Sequence, residues 1–293
     1  MSVRPFSVTP IEGGVTAAAG FVAGAATAGL RTRPAPDLAG VATSGAAAAA
    51  AAVFTTNRFA AAPVLVAREV LAESAGRARA VVINAGCANA GTARAGIDDA
   101  RCVTAAVARA IGCDPGQVLP ASTGLIGSRL QVDRIEAAIP ALQLGADAAS
   151  GLAAATAIMT TDTRPKQAAV RVEFANGRTL TVGGMAKGAG MIHPRMATML
   201  ALLTTDAQAT PALLGELLRT AVDRSFNQVS VDGDTSTNDA VFLLASGAAP
   251  GSPVDPVSEA ADALGHGVAA VCRSLARQIA ADGEGARSRI DVL

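Results

Sequence analysis

Between Gly183 and Leu200 the chain reads Gly-Gly-Met-Ala-Lys-Gly-Ala-Gly-Met-Ile-His-Pro-Arg-Met-Ala-Thr-Met-Leu, so a lysine lies among glycines and a hydroxyl residue opens an apolar run. Lys187 carries weight because the chain has only two lysines, Lys166 being the other. On spacing alone the glycines make a turn and Thr198 is an ordinary strand threonine. A nucleotide-binding loop is excluded, because Gly188 and Ala189 follow Lys187 where that motif needs a hydroxyl residue. The stretch Asp232–Asp239 opens like a calcium loop, but Thr237 replaces the required glycine and Leu243 the bidentate glutamate. Neither G-x-S-x-G nor H-E-x-x-H occurs, and His193, followed by Pro194, is expected to be structural. Cys87, Cys102, Cys113 and Cys272 show no C-x-x-C pair and no metal-ligand spacing. They read as reduced thiols, Cys102 and Cys113 as packing residues, with no metal site.

These residues need a scaffold, and the chain can supply one. At 51% hydrophobic and 16% charged residues it can bury a core of one or two domains. Lys and Arg number 24 and so do Asp and Glu, which excludes an extended electrostatic footprint for nucleic acid or an anionic membrane. Val15–Leu30 is mainly Ala, Gly and Thr, too weakly apolar for a spanning helix, and Pro5, Pro10, Glu12 and Gly13 spoil a secretory signal. A soluble, cytoplasmic protein is expected.

Ala80–Ile83 predicts a strand ending in the loop Asn84-Ala85-Gly86, and Val103, Ala106, Val107, Ala110 and Ile111 share a helix face beyond it. Ala168, Val170, Val172 and Phe174 alternate with polar residues, Asn176-Gly177 supplies a hairpin turn, and Thr179–Val182 returns into a glycine loop, Gly183–Gly190. Met196–Leu203 has the length of a buried strand. Thr210 and Pro211 open one helix and Ser258 another, while Ser288–Leu293 alternates like a strand without a partner. Strands and helices in this alternation predict mixed α/β layers.

The 183–200 segment is similar to the autoprocessing signature of the ornithine acetyltransferases, the glutamate N-acetyltransferase family of arginine biosynthesis. Further segments resemble the family in the family's order: Phe54-Thr55-Thr56-Asn57, Asn84-Ala85-Gly86-Cys87-Ala88-Asn89-Ala90, Ala121-Ser122-Thr123-Gly124-Leu125-Ile126-Gly127, Thr160-Thr161-Asp162-Thr163 and Asp282-Gly283-Glu284-Gly285-Ala286. The resemblance implies a layered αββα sandwich of the self-processing N-terminal-nucleophile type. It implies that the Thr198 hydroxyl attacks the Ala197 carbonyl and that hydrolysis of the ester leaves two pieces, 1–197 and 198–293, which stay associated. The freed α-amine, titrating near about 7.7 to 8, can then take the hydroxyl proton at neutral pH.

By the same resemblance the activity is transfer of acetyl from N2-acetylornithine to glutamate through an acetyl-threonine ester. Thr123 and the Gly124 N–H form the oxyanion pair. Lys187 and Thr161 hold an α-carboxylate, and Glu284 meets the side-chain ammonium of ornithine. Which of Thr160, Thr161 and Thr163 points inward stays open, and Asp232–Asp239 is given no role. No cofactor is implied. Acetyl-CoA as a second donor, giving an amino-acid N-acetyltransferase, stays open, and the assembly implied is a heterotetramer of two α and two β chains. The family's last part, with an Asn and a Ser or Thr of the pocket, is missing here, so C-terminal truncation is expected. The alternatives are a related amidase or aminopeptidase and an inactive truncated remnant.

Overall fold

The computed structural model describes residues 5–32, 34–193 and 199–292. In chain order the described elements are β1 (Phe6–Ile11), β2 (Phe21–Ala26), β3 (Leu38–Thr43), β4 (Ala48–Phe54), α1 (Ala62–Glu73), β5 (Arg77–Ala78), β6 (Ala80–Cys87), α2 (Ala93–Ile111), β7 (Val118–Leu125), α3 (Val132–Ala138) and α4 (Ala148–Ala157). They continue with β8 (Lys166–Phe174), β9 (Thr179–Lys187), β10 (Leu200–Thr205), α5 (Pro211–Asp223), β11 (Ala240–Ala245) and α6 (Glu259–Ala281). A seven-stranded sheet runs β1-β8-β9-β10-β11-β4-β5, and a four-stranded sheet runs β2-β3-β6-β7.

Side-chain alternation makes these sheets the middle layers of a sandwich. On β10, Ala201 and Leu203 face a core shared with α5 and α6, through residues such as Leu214, Leu218, Leu264 and Val268. Leu200 and Leu202 point the other way, into a second core with Val41, Val81, Ile83 and Leu119 of the smaller sheet. β10 and β11 pair in parallel at the centre, and every residue of both is buried. That double burial is why their sequences are continuous apolar runs. The outer face of the smaller sheet packs Leu38, Val82 and Val118 against Val103 and Val107 of α2 and Ile135 of α3. The result is the α-β-β-α sandwich that the sequence led us to expect.

Local signals behave as their chemistry demands. The Thr210 side chain caps α5 by accepting from Leu213 N–H at 3.3 Å with Pro211 as first helical residue, and Ser258 caps α6 through Ala261 N–H at 3.3 Å. The β8–β9 hairpin forms, with Phe174 C=O accepting from Gly177 N–H at 2.9 Å and Gly177 left-handed in the four-residue connection Ala175–Arg178.

Several expectations are corrected. Asn84-Ala85-Gly86 is strand, because β6 continues to Cys87 beside β7. Gly183–Lys187 is also strand, pairing with β10 from Thr204 to Leu200. The glycine at 183 serves packing, since a Cβ there would lie 2.0 Å from the Gly14 carbonyl oxygen. Only Gly188–Gly190 is loop. Cys102 is exposed, whereas Cys113 is half-buried and packs against the core beside α2, and Cys87 and Cys272 are buried. His193 is exposed, and residues 288–292 form no strand.

Candidate active site

The ends of β6 and β7 build one wall. They pair in parallel, with Gly86 opposite Gly124 and a bulge at Cys87. Gly124 has φ +129°, and a Cβ on it would approach the Gly86 carbonyl carbon to 2.3 Å, so both conformation and space require glycine here. Asn84 fixes the wall: its Oδ1 accepts the Ser122 hydroxyl at 2.6 Å and its Nδ2 donates to Cys87 C=O at 2.9 Å. Asn238, just before β11, donates from Nδ2 to Ala88 C=O at 2.7 Å and Ser122 C=O at 2.9 Å. The larger sheet is thereby pinned to the ends of the smaller one.

The opposite wall comes from β9. Lys187 is its last residue, 2% exposed, and its Nζ donates to Thr123 Oγ1 at 3.2 Å. Burial lowers the pKa of this ammonium below the ordinary lysine value, while Asp162 acts to hold it up. A buried amine beside a hydroxyl and next to a positive-φ glycine backbone can hold an anionic group or polarise an oxygen.

Behind Lys187 lies a buried ionic cluster. Lys166 Nζ donates to Asp162 Oδ1 at 2.6 Å and to Asp282 Oδ2 at 2.5 Å. Asp162 Oδ1 also accepts Gly188 N–H at 2.7 Å, and its Oδ2 accepts Thr160 N–H at 3.0 Å. Burial works to raise the Asp162 carboxyl, but Lys187, Lys166 and the Gly188 amide hold it below the usual carboxylate range. Asp282 is likewise held low against its desolvation by Lys166 and Thr163. The cluster ties the 160–163 loop, the start of the 188–193 loop and the end of α6 to one ammonium.

Glu284 follows from that anchoring. Its N–H donates to Ala189 C=O at 2.7 Å, and its exposed side chain lies against Gly190. The 188–193 loop is held on its other side by Asp232, which accepts the Met191 N–H and, at 2.9 Å, the Ile192 N–H. Of the three threonines, Thr163 spends its hydroxyl and N–H on Asp282, while Thr160 and Thr161 are exposed with no side-chain hydrogen bond among the described residues. Thr161 adjoins Asp162 and is free to face a ligand.

Thr123, Gly124 and Lys187 are thus brought together, with Glu284 and Thr161 on loops tied to the same cluster. Ala197 and Thr198 lie outside the described residues. The described chain resumes at Met199, whose N–H donates to Asp239 Oδ1 at 2.8 Å. Asp239 is buried, and that burial pushes its carboxyl up to about 7 against the lowering effect of the Met199 amide and Lys187. Sequence reasoning assigned no role to Asp162, Lys166, Asp282, Asn238 or Asp239. Two signals were available: Lys166 is one of only two lysines, and Asp162 and Asp282 stand inside family-like segments.

Comparison with known proteins bears on all of this. The arginine biosynthesis bifunctional protein ArgJ of Thermosynechococcus vestitus is 49% identical over 282 residues, 96% of this chain and 67% of that protein. The chain therefore spans about two thirds of the length of this relative. The ornithine acetyltransferase of Mycobacterium tuberculosis, solved in complex with ornithine, superposes with TM-score 0.58 at 42% identity, covering 64% of this chain and 98% of that one. An L-aminopeptidase D-Ala-esterase/amidase from Ochrobactrum anthropi, a variant of the Ntn hydrolase fold, superposes at TM-score 0.59 over 94% of this chain and 89% of that one, at 15% identity, and shares the fold. Residues 22–293 match the ArgJ family across both sheets and every segment that lines the site, and the chain belongs to that family.

Proposed function

We propose that this chain is an acetyltransferase of arginine biosynthesis that cuts itself between Ala197 and Thr198 and then moves acetyl from N2-acetylornithine to glutamate. The observation that carries it is the buried Lys187 ammonium bridging to Thr123 Oγ1 beside Gly124, in a chain of the ArgJ family. The relative solved with ornithine supports the substrate class. Its chain, matched over 98% of its length by 64% of this one, has the size of a piece cut at 197–198, which supports the self-cleavage.

In the first step the Thr198 hydroxyl adds to the Ala197 carbonyl and the Ala197–Thr198 amide bond breaks, giving an ester. Water hydrolyses the ester, leaving a carboxylate on Ala197 and a free α-amine on Thr198. In turnover the amine takes the hydroxyl proton as the Oγ–acetyl bond forms, and the proton passes to the departing ornithine nitrogen as the carbon–nitrogen bond breaks. Thr123 and the Gly124 N–H stabilise the tetrahedral oxyanion, an effect worth about 2.7–4 kcal/mol per donor. Lys187 and Thr161 hold the substrate α-carboxylate, and Glu284 takes the ornithine side-chain ammonium. Glutamate then enters the same site and its amine accepts the acetyl group.

In this reading the chain's own groups carry the transfer and no cofactor takes part. Acetyl-CoA serves as a second donor, in keeping with the bifunctional name of the relatives. The working assembly is two α and two β pieces in the cytoplasm; no described helix is long and apolar enough to cross a membrane. Intact-mass measurement of the purified chain with an acetyl-transfer assay tests this. Two pieces splitting before Thr198, with acetyl moved to glutamate, are expected. An uncut chain that transfers acetyl, or a cut chain that only releases acetate to water, overturns it.

A further inference from the structure

A groove of about 1060 Å³ runs along the exposed side of α6, and no step of the transfer uses it. Its floor is made of small residues: Ala270, Ser274 and Ala281 share a helix face with Arg273 and Arg277, each three or four positions from the next. Arg224, at the C-terminal end of α5, and Arg289 line it from the sides. Arg164 brings the groove to the active site. Thr163, the residue before it, donates its N–H to Asp282 Oδ2 at 3.0 Å, and Ala281 immediately precedes Asp282.

Five arginines thus line one concavity against a single carboxylate, Asp291. That carboxylate shows what the groove accepts. Asp291 Oδ2 takes hydrogen bonds from Arg277 Nη2 and Arg289 Nη2 at 3.0 Å each, and Arg277 foremost holds the carboxyl below its usual range. Arg164, Arg224 and Arg273 have no carboxylate partner among the described residues. In a chain whose charges otherwise balance, 24 against 24, this local excess selects an anion from outside. Planar guanidinium groups suit phosphate oxygens, which take paired N–H donors, and they stack on flat rings. Ile290 and Val292, exposed at 85% and 92%, offer apolar cover beside them.

We propose that this groove binds the nucleotide end of acetyl-CoA. The phosphates lie on Arg224 and Arg273, and on Arg277 in place of Asp291, while the acyl-bearing arm passes Arg164 to reach the site. A free phosphate has no need of a route to the reacting groups, whereas a donor that carries acetyl on a long arm does, and Arg164 stands where the two meet. The inference rests on the reading of acetyl-CoA as a second donor, and it gives that donor a place the acetylornithine route does not touch.

The test is Arg224→Gln with Arg273→Gln in the full chain, two exposed positions whose substitution spares the fold. Calorimetry reads the Kd for coenzyme A, and initial rates are taken with acetyl-CoA and with acetylornithine, glutamate being the acceptor in both. The pair is expected to raise the Kd for coenzyme A and the KM for acetyl-CoA at least about tenfold, since each arginine gives a charge-assisted hydrogen bond. Acetylornithine kinetics are expected to stay within about twofold of wild type. Arg273→Lys, a point charge in place of a fork, is expected to fall between. An unchanged Kd for coenzyme A overturns the inference, as does an equal loss with both donors, which would place the effect in the site itself. Inorganic phosphate or a single-stranded oligonucleotide that binds these arginines as tightly as coenzyme A also overturns it. A wild-type chain that transfers from acetylornithine yet binds no coenzyme A overturns this inference alone, and one that binds coenzyme A through the groove but moves acetyl from neither donor overturns the functional reading instead.

Discussion

The hydrogen bond from Lys187 Nζ to Thr123 Oγ1, 3.2 Å long, joins the last residue of β9 to the end of β7 and so spans the two sheets. The two residues nonetheless have separable tasks. Thr123→Ala removes an oxyanion donor and should lower kcat about 10²–10³-fold with little change in KM. Lys187→Met removes the substrate's cationic partner and should raise KM for acetylornithine at least about tenfold. Steady-state kinetics over both substrates distinguish them, and identical profiles would contradict the assignment.

Gly124→Ala tests the wall itself. Its methyl would lie 2.3 Å from the Gly86 carbonyl carbon, and φ +129° is strained for any L-residue. The strands must part, with an expected loss of about 1–3 kcal/mol in stability. Chemical denaturation measures that loss, and turnover should fall with it because the Gly124 N–H moves.

Lys166→Met breaks the buried cluster. Two carboxylates, from Asp162 and Asp282, would share a dry site without their common cation. Removing one member of such a group typically costs about 3–5 kcal/mol. The variant should melt well below wild type, and a second substitution, Asp282→Asn, should recover part of the difference by removing an unpaired charge.

The carboxyl groups predict opposite pH dependences. Asp162 and Asp282 titrate below the usual range when folded, so their contribution is present above the unfolded value of about 4 and is lost as pH falls through the lower folded values. Asp239 is raised to about 7, so stability is lost as pH rises from about 4 to about 7, where the unfolded chain ionises first. In an uncut Thr198→Ala background, Asp239→Asn should therefore gain stability relative to its parent across that window. Melting curves at pH 4, 5.5 and 7.5 check the sign.

Much of this was legible in the residues, and what was not has identifiable causes. The caps Thr210 and Ser258, the β8–β9 hairpin and the apolar runs of the central strands rest on short-range rules, and they hold. Gly183 and Gly184 were misread because a glycine that admits a close neighbour, the Gly14 backbone at one and the Val271 side chain at the other, looks the same in sequence as one that turns the chain. The Lys166 cluster joins residues 116 positions apart, a distance across which no local pattern reports. Thr123 and Gly124 were recognisable through family resemblance, whereas their meeting with Lys187 required the sheets to be stacked. Cys102 is exposed against expectation because burial of a lone cysteine depends on tertiary contacts that spacing does not encode.

The layer between the sheets mixes small and large side chains: Ala23, Ala39 and Ala121 beside Val41, Ile83 and Leu119 from one side, Ala48, Ala50 and Ala240 beside Leu202 and Phe242 from the other. The packing of these side chains together sets how near the two slabs can lie, and the gap they set is the gap that Lys187 must cross to reach Thr123. A leucine at Ala50 would work as a wedge, far from any bound amino acid, and its first effect would be on reach. Interior volume here is thus a calibration of the catalytic gap, and a protein altered at these alanines can remain intact in fold while going silent.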